Sequence, residues 1–190
     1  MSRVRSGFRY GFKTFANRLA LEVRLEIGLG ALDPLIPLGL ADHLAVPLVP
    51  LTAFHEAAPL AVKHFSEVER DVFSAVTVFD GPRRMIVFND RHAHRRQANS
   101  ITHELSHALL QHPPHPAIDN ATGCRVWRED IENEATYLAG ALLVTESAAL
   151  NMVRDGVTVE DAATQYGVSE DLIRYRLNMT GARKRMRRAD

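Results

Sequence analysis

The segment His103-Glu104-Leu105-Ser106-His107 constrains this chain more than any other feature. Ile101, Leu105, Ala108, Leu109 and His112 recur around it at helical spacing, and Pro113-Pro114 follows. This pattern predicts a helix over residues 97–111 with one apolar face. Side chains four apart on a helix lie about 40° apart around its axis, displaced by one turn. His103 and His107 therefore share a face, off the apolar stripe, and two imidazoles there can hold one metal ion. Glu104 is turned too far to ligate with them, but it can reach a water on that ion and act as general base. Zn²⁺ suits such ligands, and Mn²⁺ or Fe²⁺ can occupy a two-His, one-Glu set.

A catalytic site of this kind needs a third protein ligand. The extended motif with Gly at 110 and His at 113 is absent, because Leu110 and Pro113 stand there. A helix continuing to 111 puts His112 on the side opposite His103. His115, beyond two prolines, is a loosely organised ligand. A second helix is predicted over residues 129–144, where Ile131, Ala135, Leu138, Ala139, Leu142 and Leu143 form an apolar arc. Glu132 falls inside that arc and Glu134 on its margin. A carboxylate in an apolar stripe is costly unless paired or bound to a cation. Glu132 is thus the expected third ligand and Glu134 the fallback, with a buried ion pair to an Arg of 91–96 as the competing explanation. The small Ala135 and Ala139 allow close approach to the first helix.

Composition removes several alternatives. The chain has 190 residues, 46% of them hydrophobic, and 23 Lys plus Arg against 23 Asp plus Glu. That balance argues against wholesale disorder and against a body that binds nucleic acid over its whole surface. The single Cys124 excludes an internal disulfide and a cysteine-rich zinc site. No run approaches the length of a membrane span. Arg3, Arg5, Arg9, Lys13 and Arg18 precede any acid, but Lys13 and Arg18 interrupt the apolar core a secretory leader requires. A basic amphipathic helix over 12–27 is expected instead, and the cytoplasm as compartment.

The expected class is α+β, mostly helical, with a small antiparallel sheet. Val76–Phe79 and Met85–Phe88 flank Asp80-Gly81-Pro82, so a hairpin is expected over about 76–88. Another helix is expected over 35–44, started by Asp33-Pro34, and two prolines confine 46–50 to an extended or edge segment. One or two short helices are expected in 56–71, and a helix pair over 159–165 and 169–177 is split by Gly167. The organisation reads as a basic arm over 1–30, a core over 31–150, a helix pair over 151–180 and a basic tail over 181–190.

With these motifs in order, the chain resembles the ImmA/IrrE family of metallo-endopeptidases. The likeness rests on Met85–Asn89, Arg95-Arg96-Gln97, Ile101–Leu110, Ile131–Leu143 and, more weakly, Val168-Ser169-Glu170 through Arg174–Asn178. It implies a gluzincin-like core with metal on His103, His107 and Glu132 and with Glu104 as base. Two positions depart from the family pattern: Thr136 stands where Asn or Asp is common, and Val144-Thr145 where Met-Pro is usual. Thr136 can still orient a ligating His from outside. The resemblance implies a helix-turn-helix repressor as protein substrate, in stress or mobile-element circuits.

Tyr137 and His115 are the candidate donors toward a developing oxyanion, and Met85–Phe88 is a candidate edge for an extended substrate. Three other functions compete. Residues 162–173 have helix-turn-helix-like spacing and precede a basic tail, which suggests direct DNA contact, although Glu170 and Asp171 oppose a phosphate backbone. A zinc-fold module can bind a partner without hydrolysis, or hydrolyse another amide. Cys124 could block a metal's open position, and Arg125 and Trp127 could line or cap the cleft.

Overall fold

The computed structural model describes residues 8–81, 83–113 and 128–187. The chain opens with helix α1 (Phe12–Glu26) and a short α2 (Pro37–His43). α2 begins two residues later than the expected 35–44, because Pro37 takes the first helical position, where a missing N–H has no consequence. Strand β1 (Leu48–Pro50) leads through a 3-10 turn to α3 (Pro59–Lys63), which passes into a π turn over His64–Val68. Strands β2 (Ala75–Asp80) and β3 (Arg83–Phe88) form the expected hairpin, with Ala75 opposite Phe88 and Asp80 opposite Arg83.

The sheet order is β1-β3-β2, and β1 runs parallel to β3 with Leu48 opposite Ile86. The sheet is therefore mixed rather than purely antiparallel. This order also moves the candidate substrate edge. β3 is paired on both sides, so Met85–Phe88 has no free edge, and the open edges belong to β1 and β2. β1 has three residues and ends in Pro50, which leaves β2 as the usable edge.

The loop after β3 is fixed by Asn89, which is fully buried. Its Nδ2 donates to the carbonyls of Phe65 at 3.0 Å and Phe73 at 3.1 Å, and its Oδ1 accepts from Arg91 N. Helix α4 (His94–Leu109) follows, then α5 (Glu129–Leu143). α5 is the central element: from Tyr137 to Leu143 every residue is buried. Against it α4 sets Thr102 and Ser106, both fully buried. Their hydroxyls donate to the carbonyls four residues back, Ala98 at 2.8 Å and Thr102 at 2.7 Å, so neither leaves an unsatisfied group.

The chain closes with α6 (Glu146–Arg154), α7 (Val159–Tyr166), α8 (Glu170–Thr180) and α9 (Ala182–Met186). α6 is absent from the periodicity reading and explains Thr145. That hydroxyl accepts from Ala148 N at 3.0 Å as an N-cap and donates to Ala31 O at 2.7 Å. Most of the stretch read as a basic tail is also ordered, since α9 packs on α6 through the buried Ala182. One core runs through the described elements from Phe12 to Ala182. No single described helix is long and apolar enough to cross a membrane.

Gly140 marks the tightest packing of α5. A Cβ there would lie 2.9 Å from Arg176 Cδ and 3.4 Å from Tyr175 Cε1. Arg176 is fully buried and tied to Val144 O at 2.8 Å, so it has little room to yield. Gly140→Ala gains about 1 kcal/mol of helix propensity but incurs roughly 1–3 kcal/mol of overpacking. The expected result is net destabilisation, read as a lower denaturation midpoint in urea.

Candidate metal centre

α4 and α5 pack together and bring three side chains to one place. His103 Nε2 lies 3.1 Å from His107 Nε2, 3.2 Å from Glu132 Oε2, and His107 Nε2 lies 3.7 Å from Glu132 Oε1. One ligand atom from each falls within 4.8 Å of the others, a spacing that fits a single ion. Both imidazoles turn Nε2 inward and leave Nδ1 for partners outside. This is the arrangement expected of ligating histidines, whose second nitrogen is usually held by a hydrogen bond. The histidine contacts hold the Glu132 carboxyl far below the usual carboxylate range, His103 contributing most.

Glu104 stands outside this cluster. Its Oε2 accepts a 2.6 Å hydrogen bond from Thr77 Oγ1 on β2. The general-base candidate is thereby tied to the open-edged strand. No sequence signal singles out Thr77, because the pairing depends on how the hairpin lies across α4.

Among the outer partners, Thr136 Oγ1 lies 3.4 Å from His103 Nδ1, the position proposed for it. Tyr137 is elsewhere. It is buried on the far side of α5, edge-on to Phe8 and Phe12 and under the Arg176 guanidinium. One position along the helix rotates a side chain by about 100°, so Thr136 and Tyr137 cannot share a face. Tyr137 is therefore a core residue rather than an oxyanion donor. His115, Cys124, Arg125 and Trp127 lie outside the described residues.

Glu134, the fallback ligand, points away from the histidine pair. Its carboxylate meets Arg9 Nε at 3.2 Å and His112 Nε2 at 3.5 Å. It is also the more buried acid, with 11% of its side chain exposed against 27% for Glu132. This order is the reverse of that expected from the apolar arc, because Arg9 and His112 close over the Glu134 side of α5. Burial pushes the Glu134 carboxyl up, with Arg9 opposing. Among the described residues no Arg of 91–96 pairs with Glu132, whose partners are His103 and His107; Arg95 donates to Thr164 and Arg96 pairs with Asp71.

His112 departs furthest from expectation. α4 ends at Leu109, two residues short of the predicted end, and Gln111 turns left-handed with φ 53°. Gln111 N donates to Ala108 O at 3.1 Å and His112 N to His107 O at 3.0 Å, a closure that satisfies the last helical carbonyls. The chain folds back, and His112 Nδ1 arrives 2.9 Å from His107 Nδ1. Burial, followed by the nearby His107, lowers the His112 pKa to about 4, so its ring is neutral near pH 7.

The arrangement is thus two imidazoles and one carboxylate facing a common point, with Glu104 one residue after His103 on the same helix. Residues 61–178 match the family described as the IrrE N-terminal-like domain, peptidase family M78. A search of curated proteins gave no match. Because the matched segment spans more than half of its length, this chain belongs to the IrrE N-terminal-like family of metallopeptidases.

Proposed function

We propose that this chain is a zinc-dependent endopeptidase whose ligands are His103, His107 and Glu132 and whose general base is Glu104. The convergence of two ring nitrogens and one carboxylate on a single point carries this reading. When bound there, Zn²⁺ supplies a Lewis acid that lowers the pKa of water toward about 7 and polarises a peptide carbonyl. Glu104 accepts the proton of the attacking water at a carboxylate oxygen and returns it to the leaving amine. Thr77 orients the carboxylate during that transfer. An extended substrate adds to the free edge of β2, where backbone hydrogen bonds recognise main chain irrespective of side chains. The family resemblance points to a helix-turn-helix repressor as substrate, cleaved in a stress or mobile-element circuit in the cytoplasm.

Binding DNA instead finds little support in the α7–α8 hairpin. Arg174 is paired with Glu170 and Asp171, Arg185 with Glu146, and Leu172, Ile173 and Leu177 face the core. The test combines metal analysis of the purified protein with incubation against a candidate repressor. One equivalent of Zn²⁺ and cleavage abolished by a chelator are the expected results. Glu132→Ala should weaken Zn²⁺ binding by more than the roughly 10–100-fold that loss of an outer partner causes. Unchanged Zn²⁺ affinity in that variant would remove Glu132 from the ligand set.

A further inference from the structure

The outer nitrogen of His107 has a partner whose own surroundings decide where the protons lie. His107 Nδ1 and His112 Nδ1 are 2.9 Å apart, so one carries hydrogen and the other accepts it. On the other side of the His112 ring, Nε2 faces Glu134 Oε2 at 3.5 Å, and Arg9 Nε holds the second oxygen of that carboxylate at 3.2 Å. The side chains of His112 and Glu134 are 9% and 11% exposed, which leaves little water to replace these partners. An ionised carboxylate only accepts, so it selects the His112 tautomer with hydrogen on Nε2. Nδ1 of His112 is then the acceptor, and the hydrogen in the 2.9 Å contact belongs to His107 Nδ1. The free lone pair of His107 is consequently on Nε2, the nitrogen that faces His103 and Glu132.

We infer that His112, backed by Glu134 and Arg9, is a positioning residue that fixes the tautomer and ring orientation in which His107 binds metal. Its effect on metal affinity rests on the metal-binding reading above, whereas the tautomer assignment stands on the His107–His112 hydrogen bond and the carboxylate facing His112 Nε2. The left-handed Gln111 is the backbone device that makes the contact, since a helix continued through 111 would carry His112 away from His107.

Two measurements test this. The first titrates metal-free protein with Zn²⁺ against a chelating dye, for the unsubstituted chain, His112→Leu and His112→Asn. His112→Leu removes the acceptor and should lose about 10–100-fold in Zn²⁺ affinity. In His112→Asn the amide oxygen takes the place of Nδ1, and affinity should recover to within about threefold of the unsubstituted chain, as an outer partner is restored. The second reads the histidine tautomers of the unsubstituted, metal-free protein by long-range ¹H–¹⁵N correlation. Hydrogen on Nε2 of His112 and on Nδ1 of His107 is expected. Equal affinity of His112→Leu and the unsubstituted chain would overturn the proposal, as would failure of Asn to rescue or hydrogen on Nδ1 of His112. Should His112→Leu fail to fold, the tautomer spectrum decides. If the unsubstituted chain takes up no Zn²⁺, the metal reading falls, and the spectrum still judges the tautomer assignment separately.

Discussion

Glu104→Gln is expected to retain Zn²⁺ and to hydrolyse peptide about 10²–10⁴-fold more slowly, the usual contribution of a positioned acid–base group. The amide matches the carboxylate in shape and can still accept from Thr77 through its oxygen. It cannot take up a proton near neutral pH. Glu104 lies outside the group formed by His103, His107 and Glu132, so affinity and turnover should separate cleanly. Single-turnover cleavage beside metal analysis of the same sample measures both. Turnover equal to that of the unsubstituted chain would remove Glu104 from the chemistry. Loss of metal together with turnover would instead make it a ligand.

The second large effect is on stability, and it arises far from the metal centre. Arg24 is 1% exposed, yet its guanidinium makes no ion pair among the described residues. It donates to Leu142 O at 2.6 Å, to Gly30 O at 2.8 Å and 3.2 Å, and to Asp33 O. Burial lowers its pKa, but a guanidinium stays charged in proteins. One planar fork thus joins α1, the following turn and the C-terminal end of α5. Arg24→Leu leaves three carbonyls without this donor, at about 1–3 kcal/mol for each that stays buried and unpaired. A total loss of roughly 3–5 kcal/mol is expected, comparable to breaking a buried charged pair. Urea denaturation followed by circular dichroism measures it. Arg24→Lys should recover only part of the loss, because an ammonium is a point donor and not a fork. A loss below about 1 kcal/mol in Arg24→Leu would show that water replaces the guanidinium.

The parts of the site legible in the sequence are those fixed by a single helical period. His103 and His107 share a face because of their spacing, and no tertiary contact is needed to say so. Glu132 is less well explained by periodicity. The apolar arc marked a carboxylate as buried, but the more buried acid is Glu134, covered by residues from two other parts of the chain. Periodicity describes one helix and is silent about what closes over it.

His112 and Thr77 stayed hidden for related reasons. The position of His112 depends on where α4 stops, and two residues of helix change which side it faces. The position of Thr77 depends on how a hairpin crosses a helix, which leaves no trace in local spacing. The same limit applies to Arg24. Its guanidinium is drawn inward by carbonyls of the turn after α1 and of the end of α5, which periodicity along one helix does not show. The sheet was half legible. The turn at Asp80-Gly81 announced the hairpin, whereas the pairing of β1 with β3 joins segments far apart in sequence. α6 leaves no separate signal in the periodicity because its cap at Thr145 follows α5 almost without interruption.

Helix α1 precedes the segment shared with the family, which begins at residue 61. Even so, Phe12, Ala16, Ala20 and Val23 are buried in the common core, and Arg24 clasps the end of the helix that carries Glu132. The matched stretch and the cooperative core therefore have different borders in this molecule. The inherited chemistry is confined to one stretch of the chain, but the platform that keeps its acid aimed at its histidines is completed by residues upstream of it. A change in that upstream helix can reach the centre through α5 without touching any residue of the matched stretch.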